Sequence, residues 1–108
     1  MNDTGYAIIF ITAGNDDEAQ KLSDILLKGH HAACITVVKD VESTYWWQGK
    51  LESAREHLLI VKTRTSQIDD VTKITRGNHS YEIPEVMAIP VIGGNSDYLD
   101  WIGREVTE

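Results

Sequence analysis

Basic residues are scarce in this chain of 108 residues, which carries 10 lysines and arginines against 17 aspartates and glutamates. The formal net charge is -7 at pH 7. Binding to nucleic-acid phosphates needs clustered lysine and arginine, and the sequence contains no such cluster. We therefore expect no nucleic-acid partner. An acidic surface mildly favours cations as partners, although its commonest use is solubility.

Cysteine and long apolar runs are also nearly missing. The single cysteine, Cys34, excludes an internal disulfide and any Cys-x-x-Cys motif. Its apolar neighbours predict a packed thiol in a buried strand. No stretch approaches the roughly 20 apolar residues that cross a bilayer, and no basic region followed by an apolar one opens the chain. We expect a soluble, cytoplasmic protein with no membrane partner.

The usual local motifs of catalysis are absent. The sequence has no Gly-x-Ser-x-Gly elbow, Walker loop, Gly-x-Gly-x-x-Gly or His-Glu-x-x-His. Residues 93–96, Gly-Gly-Asn-Ser, precede a helical pattern and can bind an anion there, but a plain strand-to-helix turn is the favoured interpretation. No nucleophile with its base can be assembled from local spacing, so we predict that the protein is not an enzyme.

The first elements are a strand and a helix. The β-branched apolar run at residues 6–12 is typical of an interior strand or one covered on both faces. Asn15 is an N-cap candidate, and acidic residues follow it in the first turn. Apolar side chains then recur at three- and four-residue spacing until Gly29, which predicts that the helix ends there.

A long hairpin is predicted next. Residues 32–38 read as a strand, Lys39-Asp40 as a bulge or bend, and residues 41–47 as the continuation. Residues 48–50 form a turn, and residues 51–65 return as the partner strand. Together they predict a β-hairpin that extends beyond the body of the domain.

The second half adds two helices and one strand. Ser66 and Asp69 have the spacing of a capping box and open a helix that closes at Gly77. Residues 85–92 read as the fourth strand, and Ser96 is predicted to cap a terminal helix. The element order predicts an α+β, ferredoxin-like βαββαβ fold with an extra C-terminal helix, and residues 1–108 form a single domain.

The hairpin also predicts self-association. It is too long for a four-stranded sheet of this size, so its edges need pairing with another copy. Tyr45, Trp46 and Trp47 lie near its tip and are hard to bury in one small monomer. Large aromatics there indicate a subunit interface, and we expect a homo-oligomer with contacts between sheets.

A histidine and two carboxylates lie in the irregular segment at residues 78–90, which also holds both prolines. His79, Glu82 and Glu85 offer mixed nitrogen and oxygen ligands, which suit divalent transition metals. The alternative is that both glutamates are solvated and His79 bonds a backbone group. From the residues alone this alternative is favoured over a tight metal site.

The ordered motifs of the chain resemble those of the CutA divalent-cation tolerance proteins. The residues that carry the resemblance are Ser43-x-Tyr45-x-Trp47-x-Gly49-Lys50-x-Glu52, Leu59-x-x-Lys62-Thr63, His79-x-Tyr81-Glu82-x-Pro84-Glu85 and Tyr98-Leu99-x-Trp101. The resemblance implies a compact homotrimer similar in architecture to the nitrogen-regulatory PII signal proteins. It also implies a role in tolerance of divalent cations, with copper binding in some members.

Three positions depart from the pattern of the copper-binding members. Ile11 stands where a cysteine is expected, and Asn78 and Ser80 replace parts of a His-His-Pro sequence. A thiolate is the natural soft ligand for Cu(I), which Ile11 cannot replace. We therefore expect weak binding of copper or zinc at His79, Glu85 and Glu82.

Two other hypotheses remain open. In the first, the chain is a PII-like trimeric module that binds a small effector between subunits, with Lys62, Arg64 and Gly93-Gly94 as candidate contacts. In the second, it is a structural trimer whose partner protein carries the chemistry. A thermal-shift screen distinguishes the first from a metal role, and pull-down from the native cell tests the second.

Overall fold

The computed structural model describes residues 3–108. Four strands form one sheet in the order β2-β3-β1-β4, and every neighbouring pair is antiparallel. The strands are β1 (Tyr6–Ala13), β2 (Cys34–Trp47), β3 (Lys50–Arg64) and β4 (Val86–Pro90), and the helices are α1 (Asp16–Lys28), α2 (Ile68–Gly77) and α3 (Ser96–Glu105). The predicted α+β, ferredoxin-like order with a long hairpin and a terminal helix is confirmed.

The hydrophobic core lies between the sheet and the first two helices. Ile9 and Ile11 of β1 are fully buried, while their neighbours Ile8 and Phe10 are only partly covered, because successive strand residues point to opposite faces. The core cluster continues through Leu22 and other apolar side chains of α1, α2 and β3. The strand β1 is therefore interior, as its apolar run predicts, with β3 on one side and β4 on the other.

The ends of α1 follow the sequence closely. The Asn15 side chain accepts a hydrogen bond from the Glu18 backbone N–H at 2.9 Å, which confirms the predicted N-cap. The helix ends at Lys28, immediately before Gly29. The left-handed residue is His30, with φ 57°, rather than Gly29. Glycine is still needed at position 29, because a Cβ there would lie 2.6 Å from the His31 ring.

The hairpin projects beyond the rest of the sheet, as predicted. β2 and β3 pair as far as Trp47↔Lys50, whereas β1 leaves β3 at Ala13↔His57. The two turn residues, Gln48 and Gly49, have φ values of 50° and 80°, which is the geometry of a tight type I′ hairpin. The ribbon beyond His57 therefore has no third strand beside it within residues 3–108.

The predicted bulge at Lys39-Asp40 is present as a register shift between Val38 and Val41. Asp40 has φ 58°, and its backbone N–H donates to His57 Nδ1 at 3.2 Å. His57 Nε2 lies 3.1 Å from Asp16 Oδ1. The His57 imidazole thus connects the bulge to the first turn of α1. It also gives the backbone N–H of Asp40, which has no partner in the strand ladder, a hydrogen-bond acceptor.

Four local predictions need correction. Ser66 makes no cap bond, because residues 65–67 form one 3-10 turn and α2 begins at Ile68. Asn95, not Ser96, caps α3, accepting from the Asp97 N–H at 3.0 Å. The fourth strand is shorter than residues 85–92, since only Val86–Pro90 pairs with β1.

Cys34 is the fourth correction, because its thiol is half-buried rather than packed in the core. It begins β2, which is an edge strand, and Lys62 Nζ lies 3.7 Å from its sulfur. A sequence pattern identifies a strand but not which strands lie at the edges of the sheet.

Candidate functional site

The loop between α2 and β4 is anchored by His79. The His79 side chain is fully buried, its Nε2 donates to the Thr12 carbonyl at 2.7 Å, and its Nδ1 accepts from the Tyr81 backbone N–H at 3.0 Å. A carbonyl acceptor at one nitrogen and an N–H donor at the other require the neutral ring with its proton on Nε2. His79 bonds backbone groups, as the alternative interpretation predicts. Metal ligation by His79 stays a prediction that would require one of these bonds to break.

Glu18 supports the same loop from α1. Its Oε2 accepts from the Ser80 backbone N–H at 3.0 Å, and its Oε1 accepts from the Gly14 N–H at 3.3 Å and lies 3.4 Å from His79 Nδ1. Burial alone would raise the pKa of Glu18, but the hydrogen bonds from Ser80 and Gly14 lower it overall. The spacing Asn15-x-x-Glu18 is a capping-box spacing, and it is the sequence feature that could have identified this residue.

Tyr81 crosses from the loop to the hairpin. Its hydroxyl donates to Glu56 Oε1 at 3.0 Å, and its ring centroid lies 4.7 Å from that of His79. The ring passes so near Gly14 that a Cβ there would lie 3.3 Å from the hydroxyl oxygen. Burial, the hydrogen bond to Glu56 and the nearby Glu56 charge raise the pKa of Tyr81 to about 12, so it remains a donor at neutral pH.

A cavity of about 560 Å³ opens between the projecting part of the hairpin and this loop, and we call it the hairpin cavity. Its walls combine aromatic, acidic and hydroxyl-bearing residues with one isoleucine: Tyr45, Trp46, Trp47, Tyr81, Glu56, Glu82, Glu85, Thr12, Ser43, Thr44 and Ile83.

Two of the three predicted site residues, Glu82 and Glu85, line the hairpin cavity, and His79 does not. The structure adds Glu56, which the sequence analysis missed because it lies on β3, far along the chain from the loop. Burial, followed by the negative charge of Glu56, raises the pKa of Glu85. Within residues 3–108, no three His, Cys, Asp or Glu side chains form a group that could hold a metal ion.

The residues predicted as effector contacts lie elsewhere. Lys62 Nζ hydrogen-bonds Thr36 Oγ1 on the neighbouring strand. Arg64 binds the end of α3, where its Nε donates to the Val106 carbonyl at 3.2 Å and its Nη2 to the Gly103 carbonyl. Neither side chain lines the hairpin cavity, and Gly93-Gly94 lies in the loop before α3.

The sequence profile of the family described as "CutA1 divalent ion tolerance protein" matches residues 7–105. The chain belongs to this family. The predicted resemblance is therefore confirmed over nearly the whole sequence.

Individual CutA proteins agree in sequence and fold. "Protein CutA 1, chloroplastic" from Oryza sativa subsp. japonica is 39% identical over 101 residues, which make up 94% of this chain and 57% of the rice protein. The crystal structure of CutA1 from Oryza sativa has a TM-score of 0.94 at 37% identity, covering 98% of this chain and 97% of that one. The structure of the periplasmic divalent cation tolerance protein CutA from Archaeoglobus fulgidus has a TM-score of 0.91 at 37% identity, covering 94% and 99%.

Length and location differ among these CutA proteins. This chain spans about half of the curated plant relatives, 57% of the rice protein and 52% of "Protein CutA, chloroplastic" from Arabidopsis thaliana. The two plant relatives are described as chloroplastic and the Archaeoglobus fulgidus protein as periplasmic. None of the helices within residues 3–108 is long and apolar enough to cross a membrane.

Proposed function

We propose that this CutA-family chain is a non-catalytic, cytoplasmic protein of divalent-cation tolerance that binds copper or zinc weakly at the hairpin cavity. The observation that best supports this is the nearness of two carboxylates there, those of Glu56 and Glu85. Glu85 titrates above its ordinary pKa because it is partly desolvated and lies near the charge of Glu56. A divalent cation between these side chains would relieve that repulsion.

The weakness of the proposed site follows from its ligands. Glu82 and Glu85 supply hard oxygen ligands, Ile11 supplies none, and His79 Nδ1 is already occupied by the Tyr81 N–H. Copper and zinc bind most tightly where nitrogen or sulfur ligands complete the set. Tight binding would need rearrangement of the loop or ligands from another copy.

Calorimetric titration with Zn²⁺ and Cu²⁺ tests this proposal. We expect saturable binding that Glu85→Gln weakens and that Glu42→Gln leaves unchanged, since Glu42 lies on the same hairpin but outside the cavity. His79→Ala is measured in parallel. Unchanged affinity in Glu85→Gln would remove the cavity from the metal role.

We propose a homotrimer as the working assembly. The support is the exposed apolar surface of the hairpin, where Trp46 is 73% and Leu51 60% exposed, together with Met87 on the edge strand β4 at 58%. Apolar side chains on open strand edges favour pairing with another copy. Sedimentation equilibrium should give three times the 12.1 kDa of one chain, and a monomer at micromolar concentration would contradict the proposal.

A PII-like effector module is the second candidate, and the size of the hairpin cavity favours it. A space of about 560 Å³ is in the range of small-molecule sites and far larger than one ion needs. The cavity thus replaces Lys62, Arg64 and Gly93-Gly94 as the expected place of binding. A thermal-shift screen of nucleotides, organic acids and amines tests this, and no stabilising compound at all would argue against any effector.

A further inference from the structure

The feature that carries this inference is Glu56, an acidic side chain in the wall of the hairpin cavity. Glu56 is only 6% exposed, and the hydrogen bond that it accepts comes from the neutral Tyr81 hydroxyl. No lysine, arginine or histidine within residues 3–108 forms an ion pair with it. A carboxylate so nearly removed from water is costly unless a positive charge lies beside it.

The chemistry of the cavity wall selects the kind of positive charge. Tyr45 and Trp47 share the face of the hairpin with Glu56 and form an aromatic side to the cavity, and the faces of such rings attract cations and pack against alkyl chains. Glu82 and Glu85 add negative charge, so an anionic ligand is disfavoured. A neutral ligand would leave Glu56 without a counter-charge.

The hydrogen-bond acceptors in the cavity wall narrow the class of cation further. The hydroxyl groups of Thr12 and Ser43 lie on the same face of the sheet as Glu56, and these oxygens, like the carboxylates, accept N–H donors. A quaternary ammonium has no N–H to offer them. A metal ion would use the carboxylates but gain little from the aromatic side or from most of the volume.

We propose that the hairpin cavity binds a small organic cation with N–H donors, a primary ammonium or guanidinium group on an alkyl stem. The charged end lies at Glu56 and the stem lies along Tyr45 and Trp47, which share its face of the hairpin. This proposal gives the effector-binding candidate a ligand class, so it rests on that candidate, and such a ligand would compete with a divalent metal ion for the same carboxylates.

The test uses the full chain in its native assembly, with putrescine and agmatine as probes at constant ionic strength. Trp47 lies in the cavity wall on the face of Glu56, so tryptophan fluorescence and calorimetry both report binding. We expect saturable binding that Glu56→Gln weakens about tenfold to a hundredfold, the range for losing a charge-assisted hydrogen bond. The amide of the variant can still accept from Tyr81, so the fold should persist, and a melting curve checks it.

Two further variants separate this site from general electrostatic attraction. Glu42→Gln removes the same charge from the hairpin outside the cavity and should leave amine affinity unchanged. Trp47→Leu should weaken amine binding about threefold to thirtyfold, as expected for loss of a cation–π contact, while Zn²⁺ affinity stays the same. Sedimentation of each variant confirms that the assembly is intact.

The outcomes are distinct for each idea. Equal amine affinity in the native chain and Glu56→Gln, no saturable amine binding, or stronger binding of tetramethylammonium than of putrescine would each overturn the inference. If nucleotides or organic acids stabilise the protein and amines do not, the effector candidate survives and the organic-cation inference fails. If the native chain binds amines but shows no saturable binding of Zn²⁺ or Cu²⁺, only the metal role is refuted.

Discussion

Replacing His79 by alanine separates the two roles discussed for this residue. If His79 is an anchor, His79→Ala leaves the Thr12 carbonyl and the Tyr81 N–H without their partner in a region from which water is largely excluded. An unpaired buried polar group costs about 1–3 kcal/mol. Water entering the vacated space would recover part of this, so we expect a loss of about 2–4 kcal/mol in the free energy of unfolding.

Thermal melting at one fixed protein concentration measures this loss. For a chain of this length the expected fall in melting temperature is roughly 10–20 °C. Fixing the concentration matters because assembly couples stability to it. Glu82→Ala is the matched control on the same loop. Its side chain is exposed and makes no hydrogen bond or ion pair within residues 3–108, so its stability should change by less than about 0.5 kcal/mol.

The result that would refute the anchor is specific. If His79→Ala melts like the native chain while its affinity for Zn²⁺ or Cu²⁺ falls, His79 is a metal ligand and its two backbone hydrogen bonds add little to the stability of the loop. If His79→Ala lowers the stability but the folded variant binds metal as tightly as the native chain, His79 is an anchor of the loop backbone and not a metal ligand.

Three other predictions concern stability. The folded-state pKa of Glu18 lies below 4.5, so its carboxylate stabilises the fold above pH 4.5, and this stability is lost as the pH falls through the folded-state pKa. Glu18→Gln should therefore flatten the acid side of a melting-temperature profile recorded from about pH 3 to pH 7. An unchanged profile would contradict this. Thr75 is fully buried, and none of residues 3–108 supplies a partner for its hydroxyl, so Thr75→Val should raise the free energy of unfolding by about 1 kcal/mol in chemical denaturation, and a loss would show that the hydroxyl is satisfied. Gly103→Ala would bring a Cβ to 2.5 Å from the Tyr6 hydroxyl and should cost about 1–3 kcal/mol, whereas the control Gly77→Ala meets nothing within 4 Å and should be neutral or stabilising; equal effects would disprove the clash.

The parts of the fold that sequence predicted correctly are those encoded by neighbouring residues. The Asn15 cap and the turn at Gln48-Gly49 depend on side chains and backbone preferences within a few positions. The Ser66 cap was wrong because a 3-10 turn of three residues uses the same residue types as a helix start. The half-buried state of Cys34 depends on strand order, which no local pattern contains.

The candidate site, like the fold, could be predicted from the sequence only where the residues involved are close together in the chain. The irregular loop and its two glutamates were identified from composition, and the structure places Glu82 and Glu85 in the cavity wall. Glu56 could not be found, because its relation to Tyr81 exists only after the hairpin and the loop have packed together. The backbone bonding of His79 is the alternative that the residues alone favour, but the sequence does not show that both ring nitrogens are bonded in this way or to which groups.

β1 pairs with β3 only as far as His57, so the two parts of the continuous strand β3 lie in different environments. In a single chain, the amides of residues 57–64 lie inside the four-stranded sheet, while those of residues 50–56 lie in a two-stranded ribbon, which by itself is only marginally stable. Amide hydrogen exchange should therefore change abruptly along β3 in an isolated subunit, with the tip exchanging fastest. Association through the ribbon would slow the tip alone, so the ratio of the two exchange rates becomes a direct measure of assembly that needs no label. A tip as protected in dilute monomer as in the assembly would show that the ribbon is stable without a neighbour.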